Sequence, residues 1–323
     1  MRTNRRKEPA SSALAQVAEK ANVSTGTVSR VFNNSPLIPP ETRIKVLAVA
    51  RELGIRPRIG VRSKQIALVT QPPHKAYIGG YVNTLTHYLC YELSRADASI
   101  VMVTEDRIDS LAHSWIDGII GIAWEEPIID LLKELKNIPV IWFSDMHKEF
   151  FHTIFVDAWK TGRMAGEYLF RHGHRKIAVI HEDDYTGNKR ADGLASVFAA
   201  NGLRQEEFLL RYPNSQPLYQ TVQNIVDSGC SAIWVTGEDL KIFEVNWLLQ
   251  SMAKKRVPED ISLLGFENPG ISKFQSPPLT TIESPLFEMA EQAVKMVLRD
   301  DFAGLELVEL SSRLIERGSV KTI

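Results

Sequence analysis

From Ile66 onward the chain alternates short apolar runs with stretches of helical periodicity, and this alternation limits the possible folds more than any other feature. Apolar runs at 66–70, 99–104, 118–122, 140–143, 177–180, 232–235 and 261–264 read as strands. Helical patterns over 161–171, 190–201, 218–228, 240–254 and 286–298 lie between them. Strand–helix–strand alternation of this kind implies a parallel sheet covered by helices. A body of 258 residues is too long for one such core, so two lobes are expected, with the cleft between them a natural small-molecule site.

The first sixty-five residues are of another kind. They hold 13 Lys and Arg against 4 Asp and Glu, a net of +9, while the remaining 258 hold 25 against 35, a net of −10. A basic head on an acidic body suggests a module that binds polyanions joined to one that avoids them. A basic solvated tail is the alternative, because Arg2, Arg5, Arg6 and Lys7 supply four of the charges. The other nine basic residues fall within or beside apolar-periodic segments, which favours a folded head.

Three short helices are predicted there. Leu14, Val17, Ala18 and Ala21 have helical spacing, and Asn22 tolerates the left-handed backbone of a tight turn. Ser24 is a good N-cap for Thr25 to Phe32, with Val28 and Val31 inward. A third helix opens at Pro40, turns Ile44, Leu47 and Ala48 inward, and ends at Gly54. A small residue where two helices cross, followed by a four-residue reversal, fits a helix-turn-helix, though a plain three-helix bundle shares the apolar spacing. On the first reading the second helix enters the major groove with its early residues near base edges. Ser24, Thr25, Gly26, Thr27, Ser29, Arg30 and Asn33 would then form the DNA-reading face, with Arg30 able to reach a guanine or a phosphate.

The string VAEKANVSTGTVSRVFNNSPLIPPETRIKVLAVARELGIRP resembles the DNA-binding head of the lactose/galactose repressor (LacI-type) family. Val23, Ser24, Thr27, Val28, Ser29, Arg30, Val31 and Asn33 fit that family's V-S-x-x-T-V-S-R-V-x-N pattern. In the body, RHGHRKIAVI, RADGLASVFAANGL, PEDISLLGFEN and PPLTTIESPLFEMAEQAVKMVL resemble the family's core. The resemblance implies an α/β, two-lobe, periplasmic-binding-protein-like core behind an all-α helix-turn-helix head. It divides the chain into a head (1–57), a short hinge (58–65) and an effector-binding core (66–323). One lobe would comprise about 66–156 and 285–308, the other about 157–284 and 309–323.

Function follows by the same likeness: a dimeric regulator, more a repressor than an activator, binding a palindromic double-stranded operator under control of a small, sugar-like effector. Arg190 sits where the family places an arginine that pairs with the effector, and Glu267 replaces an aspartate after Gly-Phe. Tyr77, Trp124, Asp145 and Glu238 occupy further cleft positions, although Tyr77 and Trp124, like Trp142 and Trp159, are equally suited to core or hinge packing. In the hinge Arg62 fits the family's arginine and Lys64 replaces its leucine, which leaves both as backbone contacts to DNA and removes the apolar wedge that kinks a duplex. The ten residues between Thr104 and Trp115 are too few for the usual crossover helix, so a single turn or no helix is expected there.

Other classes are disfavoured. No apolar run reaches the roughly 18 residues of a membrane span, and the basic N-terminus leads into no apolar export signal, so a cytoplasmic location is expected. That also counts against a solute-binding protein of a transport system, the main alternative beside a regulator without effector response. Cys90 and Cys230 suggest two free thiols. No GxSxG, HExxH, P-loop or GxGxxG motif marks an enzyme, and no cofactor is implied. His172 and His174, placed on a strand, would point the same way but lack a third ligand at metal spacing, and His181 to Asp184 read as a solvated loop.

Overall fold

The computed structural model describes residues 12–33, 35–56, 63–71, 80–123, 126–135, 137–213, 217–237, 241–302 and 304–323. Arg62, Tyr77, Trp124 and Glu238, all named above as site candidates, lie outside the described residues.

The head is three helices, α1 (Ala13–Lys20), α2 (Thr25–Phe32) and α3 (Pro40–Glu52). Ser12 and Ser24 cap α1 and α2 by accepting the Ala15 and Thr27 amides at 3.2 and 3.0 Å. Asn22 takes a φ of 51° in the turn between them. Val17, Ala18, Ala21, Val28 and Val31 are buried, which places the small Ala18 in the packed interior with the two valines of α2. On α3 the expected inward face is corrected. Val46, Leu47 and Ala50 are buried with Arg43, whereas Ile44 is 37% exposed and Ala48 is exposed. Both sets have helical spacing. Leu47, expected inward, is common to both, and Arg43 on the buried face donates its guanidinium to the Ser35 carbonyl at 2.5 Å.

The body follows as β1 (Gln65–Thr70), α4 (Tyr81–Arg95), β2 (Ser99–Thr104), β3 (Gly118–Ile122), α5 (Glu126–Glu134), β4 (Val140–Trp142) and β5 (His152–Val156). Then come α6 (Ala158–Arg171), β6 (Ile177–His181), α7 (Tyr185–Ala200), the single-turn α8 (Gln205–Phe208), β7 (Leu209–Pro213), α9 (Leu218–Ser228), β8 (Ala232–Val235) and α10 (Lys241–Ser251). The chain closes with β9 (Ser262–Phe266), β10 (Thr280–Glu283), α11 (Leu286–Val297), β11 (Leu307–Leu310) and β12 (Arg313–Ile315).

Two six-stranded sheets result, ordered β11-β5-β4-β3-β1-β2 and β12-β10-β9-β8-β6-β7. The first is parallel throughout, and in the second only β12 runs antiparallel, against β10. Each sheet carries a buried apolar cluster on both faces. The chain passes from the first sheet to the second after β5, returns for α11 and β11, and crosses again to β12.

The crossover from β2 to β3 is neither a single turn nor absent. It is a 3-10 segment, Glu105–His113, broken by a non-helical Arg107. The 3-10 rise of about 2 Å per residue lets nine residues cover a span for which an α-helix would need more. Of the tryptophans, Trp142 is fully buried against Phe151, with ring centroids 5.4 Å apart, and Trp159 is 38% exposed beneath the Arg163 guanidinium. His172 caps the C-terminus of α6 and His174 is buried, so the pair is not on a strand. Among the described residues no helix is long and apolar enough to cross a membrane.

Candidate functional site

Two surfaces carry chemistry. On the head, Ser24, Thr25, Gly26, Arg30 and Asn33 are exposed and Thr27 and Ser29 are half-buried, which gives α2 one polar face open to solvent. Not all of these side chains are equally available. Ser24 caps α2 and also shares a 2.9 Å bond with the Thr27 hydroxyl, and Asn33 donates to the Ser29 carbonyl at 2.9 Å at the other end. Thr25 and Arg30 are left to reach outward. Gly26 adds a bare backbone, since a Cβ there would meet only the Ser24 hydroxyl at 3.6 Å.

The hinge lysine departs from expectation. Lys64 Nζ donates to the carbonyls of Leu298 at 2.5 Å and Arg299 at 3.1 Å and pairs with Asp300 at 2.8 Å. It satisfies the carbonyls left open at the end of α11, so in this structure it is bound to the body and unavailable to a duplex.

The second surface is a cavity of about 450 Å³ between the two sheets. Its first-lobe wall holds Phe143, Ser144, Asp145, Met146 and Phe155, with Tyr81 and Val82 from the start of α4. Its second-lobe wall is the loop and first turns of α7, with Glu182, Asp184, Tyr185 and Arg190, together with Thr236 and Gly237 after β8. Ser284 and Met289 close it from the lobe crossing and α11. The carboxyl ends of parallel strands thus supply the rim, as in other open α/β sheets.

The helix that carries Arg190 begins earlier than its sequence pattern suggests. Asp184 caps α7 by accepting the Gly187 amide at 2.7 Å, so Arg190 stands in the second turn and not at the helix start. The unsatisfied N–H groups of the helix start belong to Tyr185 to Gly187 and not to Arg190. Arg190 Nη1 donates to the Thr236 carbonyl at 2.7 Å, and its guanidinium lies 4.2 Å from the Phe266 ring centroid. Among the described residues the Thr236 hydroxyl, buried at the cavity wall, has no hydrogen-bond partner and remains to be satisfied.

Asp145 spans the lobes, accepting Lys189 Nζ at 2.9 Å and the Tyr185 hydroxyl at 3.1 Å. Burial lowers the Lys189 pKa, but its bonds to Tyr185 and Asp145 outweigh that and raise it. Glu182 pairs with Lys241 and lines the cavity with Asp184, while Asp183 and Asp184 are exposed, as expected of a solvated loop after β6.

Glu267 is the clearest correction. Its side chain is 5% exposed and bridged by both terminal nitrogens of Arg317 at 2.8 and 3.0 Å, with the Thr281 hydroxyl as a further donor. It does not line the cavity. Its bonds tie the end of β9 to β10 and to Arg317 of the C-terminal tail. The structure therefore brings Asp145 and Arg190 together, and leaves Glu267 outside.

Several cavity residues escaped the sequence reading, chiefly Phe143, Phe155, Tyr185, Thr186 and Met289. Glycines gave the available signal. A Cβ on Gly162 would stand 1.9 Å from the Arg190 carbonyl, and one on Gly187 2.1 Å from the Glu182 carbonyl. These bare positions let α6 and the loop before α7 approach closely enough to set Arg190 at the wall.

Residues 13–58 match the model of bacterial regulatory proteins, lacI family, and residues 167–320 match the periplasmic binding protein-like domain. The HTH-type transcriptional repressor PurR of Salmonella arizonae is 28% identical over 345 aligned positions, covering 95% of this chain and 96% of that protein. A solved transcriptional regulator CelR–cellobiose complex superposes with a TM-score of 0.68 at 22% identity, over 97% of this chain and 100% of the other. The lac repressor dimer bound to operator and the anti-inducer ONPF does so with a TM-score of 0.69 at 21% identity, again over 97% and 100%. These superpositions fix the fold as a two-lobe core behind a three-helix head.

Proposed function

We infer, for a chain that belongs to the lacI family of bacterial regulatory proteins, that it is a sequence-specific DNA-binding repressor whose operator affinity is set by a small molecule in the cleft. The observation that carries this reading is the presence, on one chain, of an exposed polar α2 face and an interlobe cavity holding Arg190 beside the unsatisfied Thr236 hydroxyl. The head (1–57) would read a palindromic duplex as half of a homodimer, and the core (66–323) would hold the effector. Thr25, Gly26 and Arg30 would approach base edges, with Ser24, Thr27, Ser29 and Asn33 shaping the helix that presents them.

Arg190, the Thr236 hydroxyl and Ser144 suit the hydroxyls of a sugar-like ligand, while Phe143, Phe155 and Tyr185 offer apolar faces for its ring. The site would work in the cytoplasm and requires no cofactor. A thermal-shift screen of sugars, sugar acids and nucleobases on the full chain tests the effector role. A hit that then changes the mobility of a selected duplex supports the reading, and its direction gives the sign of regulation.

One observation favours a second reading, a regulator without effector response. The lobes are joined across the cleft by the protein's own groups, Asp145 to Lys189 and Tyr185. Specific duplex binding with no hit across the screen would select it.

A further inference from the structure

The head of this chain is packed against its own first lobe. Trp115, between the 3-10 segment and β3, joins the apolar cluster of the head and meets Phe32 edge-on, with ring centroids 6.4 Å apart at 67°. Arg51 of α3 lies over the same indole at 5.6 Å and donates through Nη2 to the Ser114 carbonyl at 2.7 Å. It shares the α3 face of Ile44 and Ala48, the face that turned out not to serve the head's own core. From the body side the indole is fixed in turn. Its Nε1 donates to Asp117 at 2.9 Å, and the other oxygen of Asp117 accepts the Gln65 amide at 2.8 Å, where β1 begins.

A second attachment lies at the end of α11. Arg56 pairs with Asp300 at 3.3 Å, the same carboxylate that holds Lys64. These pairs are exposed and individually weak, but with the Trp115 contact they hold the head at two points instead of one.

The docked arrangement leaves the reading face free. Thr25, Gly26 and Arg30 are exposed, while Phe32 at the far end of α2 is 8% exposed and turned to the body. Contacts that covered α2 would block DNA; contacts behind it orient the helix that reads DNA. Resting on the reading of the chain as a dimeric DNA-binding regulator, we propose that Trp115 and Arg51 are positioning residues for DNA recognition, which lock each head to its own lobe so that the body sets the distance between half-sites. Heads on a loose tether follow their half-sites over a range of separations. Locked heads do not, because each inserted base pair moves a half-site by about 3.4 Å and turns it by roughly 35° around the duplex.

The test uses the full chain and a duplex selected from a random library by the unaltered protein. Affinity is measured by fluorescence anisotropy at one fixed salt concentration, on that duplex and on versions with one or two base pairs added or removed between half-sites. The unaltered chain should lose at least about tenfold in affinity per change of spacing. Trp115→Ala should bind the best duplex more weakly and discriminate spacings less than about threefold, whereas Trp115→Phe, which keeps a ring edge against Phe32, should retain the discrimination. Arg51→Gln provides a second variant if Trp115→Ala fails to fold, with the same flattening expected. Unaltered spacing dependence in Trp115→Ala or Arg51→Gln would overturn the proposal, as would complete flattening in Trp115→Phe. An unaltered chain that binds duplex but ignores spacing refutes the locking alone; one that selects no duplex refutes the functional reading beneath it.

Discussion

The DNA-reading face and the ligand cleft are built on opposite plans. Ser24 to Asn33 lie in one helix and its two caps, so ten consecutive residues carry their own geometry. The cleft takes residues from the ends of β4, β5, β6 and β8, the starts of α4 and α7, and α11. A local site is spelled out by spacing alone, whereas a distributed one exists only after two sheets and three lobe crossings have been placed. The first should fail by itself when its own helix is damaged; the second should fail when remote packing is disturbed.

The largest effect should come from Val28→Asp. Val28 is wholly buried among the head helices, and an unpaired carboxylate there costs about 3–5 kcal/mol or more. Duplex binding should fall by more than a hundredfold in an anisotropy titration, while calorimetry still shows the melting of the body. Loss of the body's transition along with the head's would break the comparison at its root.

Gly162→Ala probes the other plan from outside the cavity. The new Cβ would have to move the Arg190 backbone, and overpacking of this kind costs roughly 2–3 kcal/mol. The second lobe should melt earlier and ligand affinity should fall at least tenfold, with duplex affinity little changed. A variant with full ligand affinity would show that Arg190 does not depend on the close approach of α6 and α7.

A reciprocal pair sharpens the contrast. Arg30→Ala should weaken duplex binding by about 1–3 kcal/mol if the guanidinium reads a base, and leave the effector-induced melting shift intact. Arg190→Ala should do the reverse, abolishing that shift while duplex binding without effector persists. If both variants lose the same property, the two sites are not separable.

The smallest effect is one of pH. Burial lowers the His174 pKa to about 4, and its ring lies between the Ser231 hydroxyl and the Lys321 carbonyl. Because the folded value lies below the unfolded one of about 6.5, the unfolded chain takes up the proton first as pH falls. Stability from this group is full above pH 6.5 and is lost toward pH 4, with roughly 1 kcal/mol gone at pH 5.5. Melting temperatures of His174→Gln should depend less on pH across that window; an unchanged slope would assign the acid sensitivity elsewhere.

How much of this was legible depended on how much of each element is local. The α2 bounds, its Ser24 cap and the Asn22 turn could be read directly, because cap and turn preferences act within four residues. Seven strands of the body were visible as apolar runs: six are buried in the structure, and β2 was read although it is an edge strand with Met102 exposed. Of the edge strands, β7, β11 and β12 were missed while β2 was read; β11 alternates exposed and half-buried residues and resembles a loop in sequence, and the interior β5 and β10 are short runs mixed with His152, Thr280 and Thr281. Glu267 misled because sequence places it beside the cavity, while its partner Arg317 lies 50 residues farther on. Lys64 misled similarly, its partners being more than 200 residues away at the end of α11. Arg190 and Asp145 do line the cavity, but the α7 start that sets the height of Arg190 at the wall depended on Asp184, a cap hidden in an acidic run.

A cleft and a head that are energetically linked carry a strict signature. If an effector changes duplex affinity by some factor, the duplex must change effector affinity by the same factor. The direct measurement is the dissociation constant of the selected duplex with and without saturating effector, together with that of the effector with and without saturating duplex, all at one salt concentration. Equal factors of at least about fivefold are expected. An effector that binds in the cleft, is lost in Arg190→Ala, and yet leaves duplex affinity unchanged would contradict that linkage.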